Sequence, residues 1–415
     1  WTLWFHSLSW LAPLALDDST TAVEVLLAAD RALPDPGVGS GKEAKQSTGW
    51  TEGQARTRLD TVSCLYLLTK DPRIIPVAGR LVAVNMDPNR YPGLPYNTVM
   101  NHGAMANVTL MQAGKTFGRQ DWIDFAAKRL KRDLPEVFDS CGMMWEQSST
   151  YQVHNIQLWM KAARIMAIDL SSPEDALGSL VRPDGVLEAI GDGQPATGLT
   201  PNGRRLWCPD SGWAAHTLQG SHYTLRFGPA DNFHGHMDHG SMTWFAGGVP
   251  VLSDRGLYDK RRGDRRHYAQ GWAAHSVFVP VGTDLYDPTT KAKRLSLDAY
   301  RLTDSYGGTS RSRDVTFTPT TLTVTDTGEG ARNWIQHWQL APGWTPTPTG
   351  AVYTDGTTLT LDCPKIKPLA VEAYPAWRTI ASAWDLRCPV SGSSSWEPAT
   401  ITTTLTITPS SDDTT

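Results

Sequence analysis

The chain has 415 residues, a net charge of −4, 40% hydrophobic residues and 19% charged residues. That length exceeds one ordinary core and points to two domains. The acidic balance argues against a general nucleic-acid binder, and no apolar run is long enough to span a bilayer.

The chain opens at Trp1 inside a stretch that reads as helix, with no initiator Met and no signal peptide, which suggests a processed protein or a fragment. Residues 1 to about 185 read as helical. Apolar residues recur at three- and four-residue spacing in Ala22–Asp30, Arg56–Leu68, Thr98–Phe117, Trp122–Phe138 and Tyr151–Ile168. Short breaks separate them at Asp71-Pro-Arg73, Tyr91-Pro-Gly93 and Gly118–Asp121. Helices joined by short turns pack as antiparallel hairpins, and a succession of these gives a bundle or an α/α toroid. Residues 186–220 are rich in Gly, Pro and Asp. They mark a boundary that we set between domains 1–200 and 201–415. Beyond it come short alternating runs, including His222–Phe227, Ser241–Ala246, Val315–Asp326, Asn333–Leu340, Thr357–Asp362 and Thr400–Ile407. Thr-rich, β-branched alternation of this kind predicts antiparallel sheet folded as a sandwich. Pro409–Thr415 reads as a frayed tail.

Phe233-His-Gly-His-Met-Asp-His-Gly240 gathers His234, His236, Asp238 and His239 between two strand-like runs. Imidazole titrates near neutral pH, so the cluster suits proton transfer or metal binding. If the segment continues as a strand, His234, His236 and Asp238 share one face and His239 the other. Other polar groups have ordinary explanations when taken singly. Asn101-His102 fits a solvated helix face. Trp145-Glu-Gln-Ser-Ser-Thr-Tyr151 fits a helix cap made by Ser148, Ser149 or Thr150. Leu252-Ser-Asp-Arg-Gly-Leu-Tyr258 fits a turn, and His275 fits a structural residue entering a strand. Lys260, Arg261, Arg262, Arg265 and Arg266 read as solvated surface, or as a grip on carboxylates and sulfates. The seventeen Trp residues supply core, and Trp or Tyr at a surface stacks on sugar rings. None of the five cysteines forms a CxxC pair, the odd count leaves at least one thiol unpaired, and Cys363 and Cys388 are candidates for a bridge in an exported protein.

The order of these groups resembles the heparinase II/III-like polysaccharide lyases, which include oligoalginate lyases. The chain presents Asn-His on a helix, Glu-x-Ser-x-x-Tyr before a helix, His-x-His-x-Asp between strands, Asp-x-Gly-x-Tyr, and Ala-His before a strand. The resemblance covers about residues 95–280. It implies an N-terminal α/α toroid, for which the helical half here is short, followed by an antiparallel β-sandwich; whether N-terminal helices are missing is left open. It also implies cleavage of an acidic, uronate-containing polysaccharide (glycosaminoglycan or alginate) by β-elimination. Asn101 and His234 would neutralise the uronate carboxylate. His102 or Tyr151 would remove the C5 proton, and Tyr151 would protonate the departing O4. Glu146, Arg266 and Tyr268 are the substrate-binding candidates, Glu146 by orienting its neighbours. His236, Asp254 and His275 would hold a structural Zn²⁺, which two imidazoles and a carboxylate suit. Two positions depart from the family pattern, Ser276 for a frequent Asn and Gln152 for a frequent His. A secreted or periplasmic location is implied, while oligomeric state and the polymer are left open.

Three other readings compete. His234-Gly-His-Met-Asp-His239 also fits the signature of metallo-β-lactamase-like zinc hydrolases, although the helical array before it and the scarcity of later histidines do not. A non-catalytic carbohydrate-binding protein suits the Trp content. A toroidal glycoside hydrolase needs paired carboxylates, for which Glu146, Asp210 and Asp254 are candidates.

Overall fold

The structure, a computed structural model, describes residues 2–33, 49–95, 101–229, 233–282, 288–394 and 397–410. Trp1, residues 98–100 of the expected third helix and residues 411–415 of the expected tail lie outside the described residues. Packing divides the chain into two units, Trp1–Val137 with Asn155–Leu170, and Phe138–His154 with Ser171–Thr415.

The first unit is helical, and its boundaries follow local chemistry. Asp18 caps Ser19–Ala32 by accepting from the Thr21 N–H. Thr51 and Gln54 form a reciprocal capping box at the start of Glu52–Thr69, and Lys70 ends that helix in the left-handed conformation. Ile74–Met86 tolerates Pro76 because the first turn needs no N–H from it. Asn101–Phe117 and Gln120–Val137 follow. A buried polar knot ties this unit together. The Tyr91 hydroxyl donates to Asp133 at 2.6 Å, Asn107 donates to the same hydroxyl at 2.8 Å, and the Arg129 guanidinium lies 3.8 Å from the Tyr91 ring centre.

The second unit carries two antiparallel sheets. One runs in the order Leu206–Cys208, Trp213–Leu218, Ser221–Arg226, Met242–Ala246, Val249–Leu252, Asn333–Leu340, Thr379–Ser391, Lys367–Ala376, with Phe278–Pro280 also paired to Asn333–Leu340. The other runs Trp344–Thr347, Gly350–Tyr353, Thr358–Asp362, Ala399–Thr408, Thr321–Glu329, Thr309–Phe317, Ala299–Tyr306, Lys291–Arg294. Their inner faces share one core, in which Trp244, Trp334 and Trp338 meet Leu322, Val324 and Leu405. The period-two pattern decides which side faces in: Leu322, Val324 and Asp326 are buried, while Thr323, Thr325 and Thr327 face out and bond across to Thr404, Thr402 and Thr400.

A helical array followed by an antiparallel sandwich is the architecture read from the sequence, but details differ. The packing units divide elsewhere than the 1–200 and 201–415 split. Residues 138–154 and 171–200 join the strands because Met143, Ala176, Leu180, Leu187 and Ile190 share a core with Leu206, Trp213 and Ala215. The run 315–326 is two strands, since Pro319 cannot donate to a ladder and a turn closes at Thr318–Thr321. The last helix of the predicted set stops at Ala163 rather than 168. Asp264–Gln270 is a helix that the sequence reading did not contain, and His275 follows a short 3₁₀ turn, Trp272–Ala274.

The strand alternation proposed for 233–240 fails. This segment is a loop because its backbone groups bond to other segments: His234 O accepts from Asp192 N at 2.7 Å, Met237 N donates to Gln270 O at 2.9 Å, and Gly240, at φ +84°, turns the chain into Met242–Ala246. Its four polar side chains therefore go to four different partners.

Candidate functional site

The side chains that gather around the histidine loop all belong to the strand-bearing unit. Ser148 accepts from the Tyr151 N–H at 3.3 Å, so the capping reading of this motif holds. The same helix start presents Tyr151 to the histidine loop. The rings of Tyr151 and His234 stack at 3.5 Å with 13° between their planes. His234 Nδ1 pairs with Glu146 Oε2 at 2.7 Å, and the Glu146 side chain is fully buried. This bond fixes the tautomer and tilt of the imidazole and leaves Nε2 as its other polar atom. The Tyr151 hydroxyl accepts a close hydrogen bond from Lys260 Nζ, which also lies 5.0 Å from the phenol ring centre. The exposed His154 ring meets Tyr151 edge-on at 5.8 Å, and partial burial followed by the Lys260 charge keeps its imidazole below its ordinary range. Phe233, 46% exposed, packs edge-on against His234 at 4.6 Å and neighbours Trp145 at 5.8 Å.

Two residues along the loop, His236 turns the other way. Its Nε2 bonds to Asp192 Oδ1 at 3.1 Å, and Asp192 Oδ2 accepts from Arg266 at 2.9 Å. His275 Nδ1 lies 2.9 Å from Asp254 Oδ2. Donor atoms of His236, Asp254 and His275 all fall within 4.8 Å of one another. His236 Nδ1 is buried without a hydrogen-bond partner. An orphaned imidazole nitrogen beside a carboxylate and a second imidazole is the donor set that Zn²⁺ takes, with Asp192 as the outer carboxylate that orients a ligating histidine. The residues present fit that ion. Burial alone would raise the Asp254 carboxyl, but the charge and hydrogen bond of His275 outweigh it and hold the group below its usual range. Burial likewise opposes ionisation of Asp192, and His236 with Arg266 reverses this.

Glycine makes the crossing beneath the loop possible. Gly191 sits at φ +73°, and a Cβ there would come within 2.6 Å of His234 O and 2.8 Å of Gln147 O. At Gly193 a Cβ would come within 1.9 Å of Thr150 Oγ1. Any side chain at either position would push Asp192 away from His236.

Asn101 and His102 occupy the first turn of Asn101–Phe117 in the helical unit, where His102 Nδ1 lies 3.7 Å from Glu52 Oε2 and its side chain is 54% exposed. Glu146, expected to orient its neighbours, bonds His234, and Arg266 bonds Asp192. Tyr268 packs beside Leu257, Ala269 and Tyr374 with a buried hydroxyl, and with Glu372 and Tyr374 it also lines a surface pocket. Asp238 pairs with buried Arg226 at 3.4 Å, and His239 Nδ1 bonds Pro288 O at 2.8 Å. Asp238 and His239 thus do not converge with His234 and His236, and the sheets are antiparallel, so the metallo-β-lactamase reading does not hold. Neither does a glycosidase pair, because Glu146 and Asp254 are both taken by imidazoles. The two departures from the family pattern have structural duties. Gln152 accepts from Met144 N and donates to Gly142 O, each at 2.8 Å, and Ser276 Oγ accepts from Gln339 N at 3.0 Å.

Lys260, His154 and Asp192 were missed. Lys260 was hidden in a basic run that resembles any solvated surface, and Asp192 in a Gly-rich segment. A positively charged residue two to four positions beyond the Asp-x-Gly-x-Tyr turn was the available signal for Lys260.

A helical array followed by two antiparallel sheets is a fold also found among solved heparinase structures. Residues 200–343 match the family model described as heparinase II/III-like, C-terminal. No curated protein sequence matches. A crystal structure of heparinase III superposes with a TM-score of 0.81 at 14% identity, over 99% of this chain and 78% of that one. A mutant of heparan sulfate lyase HepC from Pedobacter heparinus gives 0.75 at 16% identity, over 98% and 76%. At such identities the shared property is the fold.

Proposed function

We propose that the protein is a lyase of acidic polysaccharides, acting on a glycosaminoglycan by β-elimination. The observation that carries this reading is the Tyr151 phenol stacked on His234 and hydrogen-bonded by Lys260. The C5 proton of a uronate is weakly acidic, and its removal requires charge on the carboxylate to be met by preorganised donors. His234, held by Glu146, supplies one, and Asn101 on the helical unit is the second in this reading. The base, Tyr151 or His102, takes the C5 proton, the electron pair forms the C4–C5 double bond, the C4–O4 bond breaks, and Tyr151 returns a proton to O4. Lys260 fits a part in both directions: an ammonium against the phenol oxygen stabilises negative charge there while the proton is away.

His236, Asp254 and His275 would hold Zn²⁺, which when bound would cross-link the loops that carry them. Arg266 and Asp192 keep His236 oriented for that purpose. The heparinase III and heparan sulfate lyase structures favour a heparan-type polymer over alginate. Disulfides Cys141–Cys208 and Cys363–Cys388 fit a secreted or periplasmic location, where thiols stay oxidised.

The test is product absorbance, since a 4,5-unsaturated uronate absorbs in the ultraviolet and a hydrolase product does not. The wild-type protein is expected to produce it from one member of a uronate polymer panel, and Tyr151→Phe to lose it by at least about a thousandfold with an unchanged melting temperature. Full activity of the Phe variant would remove Tyr151 from its role, and absence of the chromophore with every polymer would end the lyase reading.

A further inference from the structure

Strands Lys367–Ala376 and Thr379–Ser391 form a hairpin in which Ala376 pairs with Thr379, so only Trp377 and Arg378 connect them. Tight connections favour glycine, asparagine or aspartate, because one or both central residues need positive φ. Here Arg378 takes φ +55° and Trp377 is 47% exposed. Neither choice serves the turn. A bulky residue held in the left-handed region, beside an unburied indole, points to a use other than stability.

The tip is also anchored to the loop that supplies Lys260. Arg378 N donates to Tyr258 O at 2.9 Å, and Arg378 Nε to Asp259 Oδ2 at 3.3 Å. Asp259 accepts as well from Arg261 Nε at 2.9 Å. One carboxylate therefore faces two guanidinium groups, whose side chains are 74% exposed for Arg261 and 49% for Arg378. The pair keeps a net positive charge and N–H groups beyond those given to Asp259. Asp259 precedes Lys260, which touches the Tyr151 hydroxyl. A hydrogen bond, a lysine side chain, one peptide step, an aspartate side chain and an ion-pair contact span roughly 20 Å at most, so the tip lies within a few sugar units of the phenol.

We propose that Trp377, Arg378 and Arg261 form a distal subsite for an anionic pyranose chain. The indole stacks on the apolar face of one ring, and the two guanidinium groups take its carboxylate or sulfate in forked hydrogen bonds. The location relative to the reacting sugar rests on the lyase reading above; the binding chemistry does not.

The experiment measures binding of short and long size-defined heparan sulfate oligosaccharides by calorimetry, with Trp377→Ala and Arg378→Gly each placed in the Tyr151→Phe background so that turnover plays no part. Loss of one stacking or forked contact weakens long-chain binding about tenfold. The shortest oligosaccharide, which cannot reach the tip, binds as before. Arg378→Gly relieves the left-handed residue, so its melting temperature holds or rises while affinity falls. A merely structural arginine would behave the opposite way. Unchanged long-chain affinity in both variants, equal losses for short and long chains, or no binding by the parent protein would each overturn the subsite. Chromophore formation by the wild type is scored separately. Length-dependent binding without product would end the lyase reading and keep the subsite, whereas product without length dependence would do the reverse.

Discussion

Two histidines separated by one glycine are given different work by their partners. His234 pairs with Glu146 and stacks on Tyr151, and His236 pairs with Asp192 beside Asp254 and His275. Their variants should separate accordingly. A metal that binds only the folded protein adds its binding free energy to stability, and that contribution disappears with a ligand. His236→Ala is expected to lose bound zinc, measured by elemental analysis, and to melt several degrees below wild type. A chelator should bring the wild type to a similarly low value and leave His236→Ala unmoved. His234→Ala should keep its zinc and melt close to wild type. Equal, chelator-independent melting of all three proteins would dispose of the zinc proposal. Chain order made these residues legible, whereas the local pattern did not. Alternation along a strand was the wrong geometry for a loop, yet His236, Asp254 and His275 converge. Lys260 stayed invisible because its neighbours Arg261, Arg262 and Arg265 share its charge, and only the fold singles out the one that reaches Tyr151.

Elements were legible where burial has one period. The alternation of Leu322, Val324 and Asp326 with their Thr neighbours marks a strand, although the run 315–326 holds two, and the periodic stretches Arg56–Leu68 and Trp122–Phe138 overlap the helices Glu52–Thr69 and Gln120–Val137. Cross-links between elements were half legible. Cys363–Cys388 was a candidate, and Cys141–Cys208 was not, because 67 residues and a change from helix to strand separate its partners. The longer bridge pins the segment before Glu146 to strand Leu206–Cys208, reinforced by Asp139, which accepts from the Cys141 and Met143 backbone N–H groups at 3.0 and 2.8 Å. Loop entropy grows with the logarithm of the closed length. With separations of 67 and 25 residues, removing Cys141–Cys208 should cost about 1 kcal/mol more than removing Cys363–Cys388. Urea unfolding of the paired Cys→Ala variants measures the difference, and a larger loss from the shorter bridge would contradict an entropic origin.

At the scale of the whole molecule, buried neutral histidines set the acid limit of the fold. His222 is pushed down to about 4 by burial, with Arg182 and His216 adding to the shift against the Ser179 carbonyl and Asp184. His239 is also pushed down to about 4, by burial and then by Arg226, with Asp238 and Pro288 opposing and Arg311 assisting. In the unfolded chain both imidazoles take a proton near pH 6.5. Between pH 6.5 and 4 the unfolded state therefore binds more protons than the native one, and stability falls as pH falls. The loss reaches at most roughly 3 kcal/mol for each histidine, from a shift of about 2.5 pH units. Asp192, Asp254 and Asp385 work lower down. Their carboxyls are held below the usual range, so what they contribute is complete above about pH 4 and disappears as pH drops through their native values. The melting temperature should thus begin to fall just below pH 6.5, well before carboxylate titration, and fall further below pH 4. Replacing His222 by Asn, whose amide cannot charge, should flatten the upper part of that decline and leave the lower part in place. A melting temperature constant from pH 7 to pH 4.5 would mean that these two imidazoles take up protons inside the fold, and that their burial does not exclude the charge.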